Sequence, residues 1–175
     1  MKRFLWILMV FSLFLTGCGK QATTQTPDAL SAAILEHLPD MKFTPCDGDY
    51  VENGFDFAEF PTAYALCFGE EFGMEIGVFS FENQGAAWAG AEAVKAYLAR
   101  EEQAVRDLSA LYPANELTAR LSRYQSATVH VRGNTVAYFL LPDTARTTAE
   151  TAFLQAVKEK SRPLGGRRAG GELVG

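Results

Sequence analysis

Hydrophobic and polar positions divide the chain into segments with different periods. Phe4 to Leu15 is apolar except for Ser12, and the polar stretch Gly19 to Thr26 follows soon after it. Leu30, Ile34 and Leu38 then recur at helical spacing behind Thr26-Pro27-Asp28, which supplies an N-cap, a first-position proline and a first-turn acid. Pro39 ends that predicted helix. Asp40 to Phe60 has no clear period and reads as a loop with room for a short strand. Thr62–Phe68 and Met74–Phe81 read as strands joined by a turn over 69–73, the first of them central because it is apolar on both faces. Asn83 is placed to cap a long helix to about Leu111, with Trp88, Ala91, Val94, Leu98, Val105 and Leu108 as its apolar stripe. Pro113 breaks it, and Asn115–Tyr124 is a further short helix. Ala127–Arg132 and Thr135–Leu141 form a hairpin about Gly133-Asn134, and Thr144–Lys160 is a last amphipathic helix. This order predicts an α+β fold, an antiparallel four-stranded sheet of two hairpins with helices packed on one face. The globular domain is expected over 27–160, and the Gly/Arg-rich stretch 161–175 is expected to be disordered.

Composition sharpens this picture in one respect. The chain has 175 residues, 48% hydrophobic and 21% charged, ordinary values for one globular domain. The formal net charge of -5 is unevenly spread: Asp28 to Lys160 holds 10 Lys/Arg against 20 Asp/Glu, a net of -10. The excess of positive charge lies in Lys2, Arg3, Lys20, Arg162, Arg167 and Arg168. An acidic domain repels phosphate backbones, so nucleic acid is excluded as the expected partner. The same charge holds the domain off an anionic lipid surface, so membrane attachment has to come from elsewhere.

The N-terminus supplies it. Met1-Lys2-Arg3 is a positive n-region, and Phe4–Leu15 has the length of a signal-peptide core and is too short to span a bilayer. Leu15-Thr16-Gly17-Cys18 resembles the bacterial lipobox, in which a diacylglyceryl group joins the cysteine sulfur and a dedicated peptidase cuts before that cysteine. The thiol is the lipid-accepting nucleophile. Small residues before it admit an extended backbone to the peptidase, and two acyl chains give stable anchoring where one is marginal. An ordinary secretory signal wants a small residue where Leu15 stands. The resemblance implies a signal peptide over 1–17, lipid on Cys18, a flexible tether over 18–26, and residence on the outer, extracytoplasmic face of the cell membrane.

A second resemblance covers about Glu75 to Lys160. Glu75-Ile76-Gly77-Val78-Phe79 leads into the long helix. Leu111-Tyr112-Pro113 and Glu116-Leu117 follow, then Ala127-Thr128-Val129 and the Gly133-Asn134 hairpin with Tyr138 and Asp143. In this order they resemble an uncharacterised family of small lipoproteins from Gram-positive, gut-type bacteria, a domain of unknown function. Membership implies an extracytoplasmic lipoprotein and carries no catalytic residue with it.

Candidate chemistry is sparse. With Cys18 committed to lipid, Cys46 and Cys67 remain as an even pair. A disulfide between them would close a loop of about 20 residues, worth about 3 kcal/mol by chain entropy, while the apolar strand around Cys67 equally suits a buried thiol. Asp47 to Asp56 departs from a calcium loop, with Val51, Glu52 and Ala58 at its fifth, sixth and twelfth positions, and reads as a solvated acidic loop. His37 sits near a helix C-terminus, and His130 alternates onto the expected exposed face of its strand, neither at metal spacing. The sequence contains no G-x-S-x-G elbow, P-loop or dinucleotide fingerprint, so no cofactor is implied. Tyr50, Phe55, Phe57 and Phe60 crowd one unpatterned stretch. They suit a contact patch for an envelope protein or small molecule, or a loop packed over the sheet. The expected function is a membrane-anchored, non-catalytic binding or interaction domain. Its rival is an envelope hydrolase whose site assembles from distant residues.

Overall fold

The computed structural model describes residues 25–46, 48–71 and 73–159. The stretch 1–17 expected to be a signal peptide, Cys18, most of the expected tether and the stretch 161–175 expected to be disordered lie outside the described residues.

Helix α1 (Pro27–Leu35) opens the fold, capped by Thr26, whose Oγ1 accepts from Ala29 N at 3.3 Å. Strand β1 (Phe43–Pro45) and helix α2 (Gly48–Gly54) follow, then strands β2 (Ala63–Gly69) and β3 (Glu75–Ser80). Helix α3 (Gln84–Leu111) is capped by Asn83, whose Oδ1 accepts from Ala86 N at 3.0 Å. Helix α4 (Asn115–Ser126), strands β4 (Thr128–Arg132) and β5 (Thr135–Leu140), and helix α5 (Asp143–Glu159) complete the order. Gly133 takes φ 59° at the first central position of the β4–β5 turn, where a two-residue hairpin of the II′ kind needs glycine.

The α+β class is as expected, and three finer expectations change. The sheet has five strands in the order β1-β2-β3-β5-β4, all neighbours antiparallel, rather than four. The added strand, β1, is three residues long and contains Pro45, which an edge position tolerates because no sheet partner needs its missing N–H. The rest of the stretch read as loop includes α2. Helices also cover both faces, not one. α1 and α5 pack on one side, over Ile76, Val78, Ala137 and Phe139, while α3 and α4 pack on the other, over Leu66, Phe79, Val136 and Leu140. The central strands are β3 and β5, buried along nearly their whole length, as strands covered on both faces must be.

Small residues set how closely α3 approaches. Its buried positions include Ala86, Ala87, Gly90 and Ala91, and a side chain at Gly90 would fall 2.2 Å from Phe81 Cζ. Two members of the predicted stripe are not in the core: Trp88 is 54% exposed and Leu108 is also exposed. Trp88 follows Ala87 by one residue, about 100° around the helix, which turns it out of the buried stripe.

Candidate functional site

Alternation along β3 sends Ile76 and Val78 to the α1/α5 face, and Glu75, Gly77 and Phe79 to the α3/α4 face. Glu75 is therefore carried into the core, where it is 4% exposed. Two tyrosines meet it. Tyr138 on β5 pairs with Gly77 across the sheet, and its ring lies over that glycine so closely that a Cβ there would stand 2.1 Å from Tyr138 Cε1. The missing side chain leaves room for the Tyr138 hydroxyl to donate to Glu75 Oε2 at 2.8 Å. Tyr97, from α3, donates to the same carboxylate at 3.0 and 2.9 Å. Its single hydroxyl proton is thereby used, so Tyr50 on α2, 2.9 Å away, is the donor in the Tyr50–Tyr97 contact.

The result is a chain of hydroxyls from Tyr50, 38% exposed, to a buried carboxyl. Burial pushes Glu75 above the usual glutamate range, and the bonds from Tyr138 and Tyr97 pull it partly back. Burial also raises Tyr97 and Tyr138, with the nearby Glu75 charge adding to it, so both stay protonated as donors. Arg120 on α4 lies near enough for its charge to favour the ionised carboxylate, and its Nη2 is 3.4 Å from the Tyr124 hydroxyl, which burial pushes up to about 12. Chemically, such a chain can pass a proton between solvent and Glu75. Aromatic rings crowd it: Phe55 lies 4.3 Å from Tyr97, centroid to centroid, and Phe79 stacks on Tyr138 at 6.2 Å.

The aromatic stretch singled out in the sequence therefore divides. Phe55 is a core residue, 5% exposed, its ring against Tyr97 and Tyr138; Phe57 stacks on it, half-buried. Tyr50 joins the hydroxyl chain, and Phe60 stays at the surface, 49% exposed, its ring 6.3 Å from Phe57. The four do not form one flat exposed patch. Cys46 and Cys67 are not bonded to each other. Pro45 is the register partner of Cys67, so Cys46, one residue on, packs toward the α3/α4 core, while Cys67 lies 3.8 Å from Ser31 of α1 on the other face. Burial raises the Cys67 thiol, with the Ser31 bond acting against it.

His130 is not on an exposed face. It is half-buried between the sheet and α5, its ring near Phe139 and Phe153 and its Nε2 3.9 Å from Glu150. Glu150 Oε1 also accepts from Thr128 at 2.6 Å and from Arg146 at 3.2 Å. Among the described residues no three His, Cys, Asp or Glu side chains converge as metal ligands would, and no helix is long and apolar enough to cross a membrane.

An open groove of about 270 Å³ lies between α3, α4 and β4, lined by Lys95, Leu98, Ala99, Glu102, Tyr124, Ala127 and Val129. It adjoins β4, the outer strand on that side of the sheet. Sequence reasoning passed over Glu75, Tyr97 and Tyr138 as a group. The one local signal was a carboxylate at the head of the otherwise apolar run Glu75-Ile76-Gly77-Val78-Phe79. No protein-family model, curated protein or solved structure matches this chain.

Proposed function

We propose that this chain is a lipoprotein domain held at the outer face of the cell membrane by lipid on Cys18, and that it works by binding rather than by catalysis. The observation that carries the anchor is the order of Met1-Lys2-Arg3, the apolar Phe4–Leu15 and Leu15-Thr16-Gly17-Cys18. Binding is supported by the groove between α3, α4 and β4. It has an apolar floor of Leu98, Ala127 and Val129, opposite charges in Lys95 and Glu102, and an outer strand beside it. An extended segment of an envelope protein, or a small amphipathic molecule, suits such a surface. Glu75 serves in this reading as an internal fastener of α3 and β5, because its carboxylate is taken up by two tyrosine donors, one from each.

The rival, an envelope hydrolase, would draw on the Tyr50–Tyr97–Glu75 hydroxyl chain as a proton path. In that case Glu75→Gln would abolish turnover of an envelope substrate in a chain that still folds. The anchor is tested by metabolic labelling with palmitate. Wild type takes up label and is processed, and Cys18→Ser accumulates as an unlabelled precursor; equal labelling of the two contradicts the anchor.

A further inference from the structure

The sheet has two edge strands, and they are finished differently. β1 is three residues long and contains Pro45, a form that keeps an edge from recruiting another strand. β4, at the other edge, is Thr128-Val129-His130-Val131-Arg132. It is mostly β-branched, lacks proline, and runs against β5 in unbroken register, without a bulge. Among the described residues no strand pairs with its outer side.

The hairpin fixes where its backbone groups point. Phe81 N–H donates to Asn134 O at 2.8 Å, so the backbone groups of Asn134, and by alternation those of Val136, point to β3. Those of Thr135 therefore point to β4 and exchange bonds with Arg132, its register partner across the two-residue turn. Thr128, His130 and Arg132 thus bond inward to β5, and Val129 and Val131 present their N–H and C=O outward. The Arg132 Nη1 bond to Val131 O, at 3.1 Å, agrees with this direction.

The flanks of β4 differ as well. Val129 and Val131 turn to the α3/α4 side, where Val129 lines the open groove with Leu98 and Ala127. Thr128, His130 and Arg132 turn to the α5 side. There Thr128 Oγ1 donates to Glu150 Oε1 at 2.6 Å, so that carboxylate lies beside the start of β4, while Arg132 is exposed at its end.

We propose that β4 pairs with β4 of a second copy of this chain, antiparallel across a twofold axis at His130, so that two five-stranded sheets become one. This rests on the reading of the groove as a binding surface and names its occupant; it does not depend on lipid at Cys18. In this register Val129 of each copy pairs with Val131 of the other, and each pair exchanges both of its outward bonds. Val131 of the second copy enters the groove beside Val129, against Leu98 and Ala127. On the α5 side, Arg132 of each copy stands directly opposite Thr128 of the other, within reach of the Glu150 carboxylate that Thr128 holds. Arg132 leaves Val131 O for that carboxylate, and the carbonyl takes the N–H of the second copy. The charges match only in this antiparallel sense, because a parallel neighbour sets Arg132 beside Arg132. The net -10 of each body opposes association, yet the strip that meets is balanced: Lys95, Arg132 and Arg146 stand with Glu102, Asp143 and Glu150. The intrachain pairs Lys95–Glu92 and Arg106–Glu102 lie at the surface and bind their members weakly.

Sedimentation equilibrium of the full chain in density-matched nonionic detergent, from about 1 to about 100 µM, reads the mass, which should rise from one copy to two. Val131→Pro removes an outward N–H and no bond to β5. The loss counts twice across the axis, so pairing weakens about tenfold or more while circular dichroism keeps its shape. Arg132→Glu sets an acid against Glu150 and weakens pairing about fivefold. Hydrogen exchange over 127–133 slows with concentration in the wild type and not in Val131→Pro. Should Val131→Pro lose the fold, Arg132→Glu and the exchange decide. A wild type that stays monomeric, with equal exchange over 127–133 at both ends of the range, overturns the proposal. So does a dimer that neither substitution weakens. If envelope extract slows that exchange in a monomeric wild type, self-pairing fails and the binding reading stands; if neither extract nor concentration slows it, both fail.

Discussion

The two faces of the sheet are built from alternate residues of the same strands, yet they are held in different ways. Toward α1 and α5 the core is Leu30, Ile34, Ile76, Val78, Ala137, Phe139, Ala149 and Phe153, with the Ser31–Cys67 contact and buried Thr135 as polar elements and the half-buried His130, Glu150 and Thr128 beside it. Toward α3 and α4 it is rich in aromatic rings and contains a carboxylate. The first face needs volume filled, a requirement that many apolar side chains meet. The second needs particular atoms at particular places. A buried Glu75 without its two phenol donors would be a desolvated charge with no hydrogen-bonded compensation, and the Tyr138 donor reaches it only because residue 77 has no side chain.

Substitutions on the two faces should therefore fail in different ways. The largest loss is expected from Phe153→Ala on the α1/α5 face: about 4 kcal/mol, from the lost burial and the cavity left, with little dependence on pH. Urea unfolding at two pH values measures both the size and the flatness. Gly77→Ala on the other face should cost about 3 kcal/mol, because the new methyl meets the Tyr138 ring rather than the end of a flexible chain. Near-ultraviolet circular dichroism should show that the tyrosine environment has changed, which the Phe153 variant does to a smaller degree. Tyr138→Phe keeps the ring and removes one donor to Glu75, a loss of about 2 kcal/mol when the carboxylate is ionised and less when it is protonated. A loss independent of pH in that variant would erase the contrast between the faces.

The parts of this fold legible in the sequence were those with local causes. Thr26-Pro27, Asn83 and Gly133-Asn134 announce two helix starts and a hairpin, and each does in the structure what its chemistry suggests. Strand β1 was hidden because three residues including a proline make no pattern, and its pairing depends on β2 more than 20 positions away. Coverage of both faces was hidden because element order does not say which side a helix takes, although the unbroken apolar runs in β3 and β5 implied it. The candidate site was hidden for a related reason. Glu75 is joined to Tyr97 and Tyr138, 22 and 63 residues further on, and neither spacing has a period a sequence can display. Trp88 and Leu108 misled because an apolar residue near a stripe looks like a member of it.

The claim that most defines the α3/α4 face is that Glu75 sits in the core as a hydrogen-bonded acid. Its folded-state affinity for a proton is raised by burial above that of the unfolded chain, near 4.5, so the folded state holds the proton to higher pH. The stabilising contribution of this group is complete below about 4.5 and is lost as pH rises through the higher folded value. The decisive measurement is unfolding free energy against pH, from about 4 to 8, for the wild type and Glu75→Gln. The wild type should lose stability with rising pH relative to the variant, and the difference should level off once Glu75 has ionised. Parallel curves for the two proteins would mean that Glu75 titrates as a solvated carboxylate, and the buried fastener would not exist.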